Sequence, residues 1–310
     1  QVENTFLVMT KTLEVFLQGG LGNQLIQLAY ATSLQARTGV TVKSNPVLLH
    51  PCWSRLRSIS HRPRCWPWAS TLPEVHRPTR QVLGLLRLYQ SRLVASRLTD
   101  ASSDVELVQQ LRGSARANWY GLIGYFQRSE AFTSSSSSFW AYLSQQLRRH
   151  YQLLPFPDGQ VVAHVRLGDY LWPQNQRLFA AYSVSKQIEH AHQWARRLGS
   201  TERIRLVSDD PNTLKRLLGD RLNDYVLHAG RSAEADFVFL LRHRHIVGSN
   251  STFSLCAGRL ASELWGESHT LTIPDRWFVD NGLDMQIQSE FAQFPFLQYV
   301  SDFLESPRHR

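Results

Sequence analysis

His164-Val165-Arg166-Leu167-Gly168-Asp169-Tyr170 follows directly on the apolar residues Val161–Ala163. The run Val161–Val165 is too short for a stable helix and reads as a buried strand that ends in a polar turn. Pro155 and Pro157 precede it, and beyond it strand and helix patterns alternate. Residues 183–198 place Val184, Ile188, Ala191, Ala195 and Leu198 on one helical face. Ile204–Val207 reads as the next strand, and Asp210 with Pro211 supplies a helix N-cap and a favoured first helical residue. A helix over 232–242, a strand His245–Gly248, a helix Ser251–Leu264 and a strand His269–Ile273 complete the series. Such alternation predicts parallel strands in a Rossmann-like α/β unit.

Upstream, Leu13–Leu17 reads as a strand leading through a glycine-rich turn into a helix over Gly22–Arg37. Its positions Leu25, Leu28, Ala29, Thr32 and Ala36 recur at helical spacing. Val40–Lys43 reads as a second strand. Residues 45–78, rich in Pro, Trp and Arg, predict loops and short helices. Helices are expected over 81–97 and 103–112, and Ser134–Ser138 as an exposed turn or linker. The expected organisation is an N-terminal domain over 9–155, a C-terminal domain over 156–285, and a helical segment over 286–310 packing back on the first domain. Two such halves suggest an enzyme with a cleft between them.

The chain has 310 residues, 43% of them hydrophobic, which is ample for a core. No apolar run approaches the roughly 18–20 residues that span a bilayer. Residues 1–10 lack the basic head and apolar stretch of a secretory signal. Met9 is a candidate initiator, and residues 1–8 are set aside. Cys52, Cys65 and Cys256 form an odd set without metal-ligand spacing, which suits a reducing cytoplasm. The net charge of +9 comes almost entirely from arginine, since lysine occurs only at 11, 43, 186 and 215. The arginines are dispersed through helical patterns, as solvated faces and ion pairs are. Only the Trp/Arg-rich stretch 53–68 hints at a nucleic-acid platform, and no nucleic-acid partner is expected. Arginine suits bidentate recognition of phosphate wherever one lines a cleft.

Three segments carry chemistry. In Gly19-Gly20-Leu21-Gly22-Asn23-Gln24, between strand and helix, glycines permit positive φ and close backbone approach to a ligand. Leu25 stands where a dinucleotide fingerprint needs its last glycine, which argues against NAD or FAD. The second is the His164–Tyr170 segment, at the strand edge where open α/β sheets bind ligands. There Arg166 offers a two-pronged partner for phosphate oxygens. The same residues also fit an Arg–Asp pair that locks a loop around a satisfied histidine. The third comprises Asp236-Phe237-Val238-Phe239 and His245–Ser254. Here a strand runs into Ser249-Asn250-Ser251-Thr252, where free helix-opening N–H groups, with the hydroxyls of Ser251 and Thr252, make an anion site. Simple N-capping by Asn250 or Ser251 is the alternative. No G-x-S-x-G elbow surrounds the serines, so a serine hydrolase finds no support.

Taken together, G-G-L-G-N-Q, H-V-R-L-G-D-Y and S-N-S-T-F-S resemble, in content and order, bacterial α-1,2-fucosyltransferases of glycosyltransferase family 11. Gly124-Tyr125-Phe126-Gln127 and Ser208-Asp209-Asp210-Pro211 also look like family segments, and the resemblance spans about residues 13–265. It implies a GT-B-type α/β fold, two Rossmann-like domains facing across a cleft, with the nucleotide held mainly by the second. It further implies that Arg166 grips the β-phosphate, that His164 and Asp236 lie near guanine, and that Ser251 and Thr252 lie near the phosphates. Gly20, Gly22, Ser208 and Asn250 join the nucleotide-binding set. Asn23 is expected to face the reaction centre or acceptor, and Asp169 and Asp209 to orient. Leu255-Cys256 departs from the family, which usually has two tryptophans there.

The implied reaction is inverting transfer of L-fucose from GDP-β-L-fucose to an acceptor hydroxyl, the 2-OH of a terminal galactose. Arg166, Asn23 and Asp169 form the expected catalytic set. No metal or cofactor is expected, because no D-x-D motif follows a strand. The expected partners are GDP-fucose and a glycan acceptor, with peripheral membrane contact through a lipid-linked acceptor. Residues 45–78 would carry acceptor specificity. Another fucosyl linkage, another GDP-sugar, or a non-catalytic nucleotide- or nucleic-acid-binding protein are the alternatives.

Overall fold

A computed structural model describes residues 11–49, 92–95, 101–112, 119–156, 160–228, 230 and 232–301. Residues 1–8, the 53–68 stretch, Cys52, Cys65 and residues 81–91 of the expected helix lie outside them. The chain forms two compact units, residues 1–139 and 140–310.

In the first unit, β1 (Thr12–Phe16) leads into α1 (Leu21–Thr38), followed by β2 (Thr41–Asn45), β3 (Arg92–Ala95), α2 (Ala101–Arg112) and β4 (Trp119–Ile123). The strands are all parallel, in the order β2-β1-β4-β3. Leu13, Val15 and Phe16 are fully buried, as expected of a strand covered on both faces. The helix expected over 81–97 is corrected where it is described. Arg92–Ala95 is a strand, because the open edge of β4 supplies a ladder from Arg92↔Tyr120 to Ala95↔Ile123 that overrides local preference. Of the two readings of the serine run, turn or linker, the structure shows the turn, with Ser134, Ser137 and Ser138 exposed. Ser134–Ser136 forms a 3₁₀ turn in which Ser136 is buried and Ser135 Oγ lies 2.7 Å from Ser33 Oγ. Serine hydroxyls bonding back to the local carbonyls of Thr133 and Ser134 explain the preference for a helix entrance.

That entrance opens α3 (Ser137–Tyr151), most of which belongs to the second unit. Arg148 lies over the Trp265 ring at 5.1 Å and Arg259 over Trp140 at 5.6 Å. These contacts place the division at 139/140, ahead of the 155/156 expected from the prolines. There follow β5 (Val161–Val165), α4 (Pro173–Gln176), α5 (Val184–Arg197), β6 (Arg205–Ser208), α6 (Pro211–Leu218), β7 (Val226–Leu227) and α7 (Ala233–Leu241). The chain continues through β8 (His245–Val247), α8 (Thr252–Trp265), β9 (Thr270–Pro274), α9 (Asn281–Phe291) and β10 (Leu297–Val300). The terminal segment is thus not wholly helical: β10 pairs in parallel with β9 of its own unit. Both sheets are parallel, and the α/β, two-unit organisation anticipated for a GT-B-type chain is present.

The second sheet has the order β10-β9-β8-β5-β6-β7. Strand order therefore reverses between β5 and β8, and ligands of open α/β sheets bind at the carboxyl edge of such a reversal. The β5–β8 pairing ends at Ala163↔Val247. Beyond it the carbonyls of His164 and Val247 need new partners, since an unpaired buried carbonyl costs about 1–3 kcal/mol. The buried Gln187 of α5 donates Nε2 to both, at 2.9 and 3.1 Å. One glutamine amide thus bridges the two strand ends across the split.

Candidate functional site

Arg166 leaves the end of β5 into this split. Its N–H donates to Ser249 Oγ at 2.9 Å, and Ser249 in turn donates to the His164 carbonyl at 2.7 Å. The Tyr182 hydroxyl donates to the Arg166 carbonyl and lies 2.9 Å from Ser249 Oγ. The guanidinium is gripped by two carboxylates: Nη2 pairs with Asp169 Oδ1, and Nη1 lies 2.9 Å from Asp209 Oδ2. Below it, the Tyr170 ring lies 5.4 Å from the guanidinium carbon and stacks on Phe179 at 4.3 Å, which stacks on Phe278. Burial alone would lower the Arg166 pKa, but Asp209 and Asp169 override it and hold the group raised. The result is a cation with its rotamer fixed and 17% of its side chain exposed. Two of the fork's five donors are spent on carboxylates. The loop-locking and anion-binding readings of this motif are compatible.

Gly168 makes the grip possible. A Cβ there would sit 2.2 Å from Asp209 Oδ2, so only glycine lets the turn approach the carboxylate. The other oxygen, Oδ1, accepts the Leu167 N–H at 2.8 Å.

His164 is 3% exposed, with Nδ1 2.7 Å from Ser254 Oγ on α8 and its ring 5.0 Å from that of Phe253. Burial, aided by Arg166, lowers its pKa to about 3, so the imidazole is neutral across the physiological range. Ser251 is the N-cap of α8, its Oγ accepting from Phe253 N–H at 3.2 Å, and Thr252 is the first helical residue. Asn250 is fully buried and donates to the carbonyls of Ala180 and Trp277, while its own carbonyl accepts from the Tyr170 hydroxyl at 2.6 Å. Its side chain is thereby engaged in joining loops. Ser208 Oγ accepts from Asp210 N–H at 3.1 Å, shaping the turn that presents Asp209. Leu255 and Cys256 are both fully buried on α8.

Asp236 stands in the first turn of α7. Desolvation, then the neighbouring Asp209, raises its pKa to about 6. His228, at the end of β7, brings Nε2 to 3.5 Å from Asp236 Oδ1. Sequence reading missed His228, Tyr182 and Gln187, and quoted Ser249 without assigning it a role. A two-residue strand carries no period, and the other three act through backbone contacts that no motif announces.

In the first unit, Gly20 is the N-cap of α1, with Gly22 and Asn23 in the first turn. Gly19 alone of the turn's glycines has positive φ, at +76°. Gln24 Nε2 donates to the Gly19 carbonyl at 2.9 Å, and Gln27 Nε2 to those of Gln18 and Gly124. Asn23 Oδ1 accepts from Gln127 Nε2 at 3.4 Å. Between Gly124 and Gln127, Phe126 is held at φ +48°, a conformation that costs a bulky residue about 1–3 kcal/mol.

Among the described residues no group of three or more His, Cys, Asp or Glu is placed to hold a metal ion. No described helix is long and apolar enough to cross a membrane.

The family model described as Glycosyl transferase family 11 matches residues 104–279. No curated protein matches the sequence. Among solved structures, the chain is similar to the fucosyltransferase NodZ from Bradyrhizobium, at 14% identity over 80% of this chain and 91% of that one, with a TM-score of 0.44. It is similar also to Arabidopsis thaliana FUT1 in complex with GDP, at 13% identity over 88% and 71% of the two chains and a TM-score of 0.45. A third similar structure is POFUT1 in complex with GDP, at 10% identity over 83% and 96%, with a TM-score of 0.43.

Proposed function

Because the chain belongs to glycosyltransferase family 11, we propose that it transfers L-fucose from GDP-β-L-fucose to a glycan hydroxyl with inversion, the hydroxyl being the 2-OH of a terminal galactose. The observation that carries this reading is the fixed Arg166 cation at the strand-order reversal, whose other strand, β8, leads into the N-terminus of α8. A preorganised arginine and a helix start both favour the negative charge of a nucleoside diphosphate leaving group.

In this scheme the bond between fucose C1 and the β-phosphate oxygen breaks, and the electron pair leaves with GDP. Arg166 and the first turn of α8 stabilise the added charge, a contribution of about 3–4 kcal/mol per key donor. The acceptor oxygen attacks C1 from the opposite face. Its proton passes to a carboxylate, for which Asp169 is the candidate, or, in a dissociative route where C1–O cleavage precedes attack, to an oxygen of the departing phosphate. The engagement of Asp169 with Arg166 supports an orienting role and favours the phosphate route. Asp236 and His164 serve the guanine side, Ser251 and Thr252 the phosphates, and Asn23 the acceptor. The scheme uses no metal or resident cofactor and admits a lipid-linked acceptor, and a cytoplasmic location belongs to the same reading.

Incubation with a panel of GDP- and UDP-sugars and β-galactoside acceptors, followed by linkage determination, tests it. An α-1,2-fucoside from GDP-fucose alone is the expected product. Transfer from another nucleotide sugar, or GDP release without a glycoside, contradicts the reading.

A further inference from the structure

We propose that His228 is a positioning residue for nucleobase recognition, pairing with Asp236 and aiming its carboxylate at the base. The inference rests on the reading of a guanine nucleotide in this unit. The His228 N–H donates to the Leu206 carbonyl at 2.8 Å, so the imidazole emerges at the same carboxyl edge as Arg166. Its ring lies flat on Phe239, with centroids 3.8 Å apart and planes 10° from parallel. That stack fixes the plane of the ring and sets Nε2 3.5 Å from Asp236 Oδ1, with side chains 23% and 18% exposed. A third element is shaped around the pair. A Cβ on Gly230 would fall 1.6 Å from Asp236 Oδ1 and 3.1 Å from His228 Nε2. Gly230 places no side chain where carboxylate and imidazole approach each other.

The chemistry explains the arrangement. Guanine presents N1–H and its 2-amino group as donors, and an ionised carboxylate is an acceptor-only partner with two oxygens. Asp236 is desolvated and faces the Asp209 carboxylate, and both effects favour its neutral form. A protonated carboxyl would turn an O–H toward the donors of the base. A protonated His228 on the far side would oppose both effects. Among the described residues, the charged and titratable groups near His228 include Asp236 on α7, with Asp209 beyond it, and His243 after the last turn of α7, itself near Arg205 and Arg242. His243 is held neutral by burial, its pKa lowered to about 3, so it does not compete for the carboxylate.

The test is calorimetric titration with GDP and with inosine diphosphate, which lacks only the 2-amino group, between pH 5 and 8. It compares the wild-type chain with His228→Phe, which retains a flat ring for Phe239, and His228→Gln, which retains an N–H donor without the charge. We expect wild-type GDP affinity to fall as pH drops through about 6. His228→Phe should melt normally yet bind GDP about tenfold more weakly at pH 7, equivalent to about 1.4 kcal/mol. Its acid limb should move to higher pH and its preference for GDP over inosine diphosphate should shrink, with His228→Gln intermediate. Unchanged affinity and acid limb in His228→Phe, or an equal, pH-independent loss for both nucleotides, would overturn the inference. Failure of the wild-type chain to bind GDP at any pH would overturn the nucleotide reading and the inference with it.

Discussion

Arg166 Nη1 lies 2.9 Å from Asp209 Oδ2, and the other oxygen of the same carboxylate accepts the Leu167 N–H at 2.8 Å. One aspartate therefore ties the side chain of Arg166 to the backbone of the turn that follows it. An arginine so held spends no rotamer entropy when a phosphate arrives, and preorganised charge is worth most where charge develops.

Asp209→Asn keeps an acceptor for Leu167 and weakens the ion pair. Losing a charged hydrogen bond costs about 1.5–3 kcal/mol. Since Asp169 still holds Nη2, the expected cost falls on positioning rather than folding: kcat/KM lower by about 10–100-fold, equivalent to about 1.4–2.7 kcal/mol, with a modestly reduced Tm. Wild-type kinetics would show that Asp209 is dispensable for positioning.

Gly168→Ala attacks the same contact sterically, since its Cβ would meet Asp209 Oδ2 at 2.2 Å and Cγ at 3.1 Å. The carboxylate must retreat, releasing both Arg166 and Leu167. Activity should fall at least as far as in Asp209→Asn, and the double variant should lose little more than either single one. Additive losses would mean the two residues act independently.

Asp236 couples stability to pH with a definite sign. Its folded pKa, about 6, is raised above the unfolded value of 3.8. Its contribution to stability is therefore fully present below pH 3.8 and is lost as pH rises through about 6. At pH 7.5 Asp236→Asn should be more stable than wild type, by about 1–3 kcal/mol, while binding GDP more weakly. Denaturant titrations at pH 5 and 7.5 check this. A variant equally or less stable than wild type at pH 7.5 would contradict it.

Activity should persist in excess EDTA, because the scheme assigns the leaving-group charge to Arg166 and the start of α8. Assays before and after chelation, with and without added Mg²⁺, measure this. Loss of turnover restored by Mg²⁺ would transfer that role to a metal.

Much of the second unit was legible because its strands are short apolar runs set between capped amphipathic helices. Asp210-Pro211 and Ser251-Thr252 mark helix starts by simple physical signals, and both stand there in the structure. The position of Arg166 was legible because a short buried strand ends just before it, and its pairing with Asp169 is the loop lock that the segment allowed. His228 was not, because β7 offers two residues, half-buried, with no period. Arg92–Ala95 was misread because its strand character lies in a ladder with β4, distant in sequence. Gln187 reads as an ordinary polar helix position, and its use emerges only where β5 and β8 part. For Asn250, the segment's anion-site pattern hid a side chain engaged with the carbonyls of Ala180 and Trp277.

The most direct test compares GDP-fucose turnover by the wild-type chain with that of Arg166→Ala and Arg166→Lys, at matched melting behaviour. The account predicts fucosyl transfer by the wild type and a loss of about 100–1,000-fold in Arg166→Ala, the scale of one removed charge-stabilising donor. Arg166→Lys should recover little, since an ammonium cannot reproduce the fork shared by two carboxylates and a phosphate. Near-normal turnover in a folded Arg166→Ala protein would contradict the central claim.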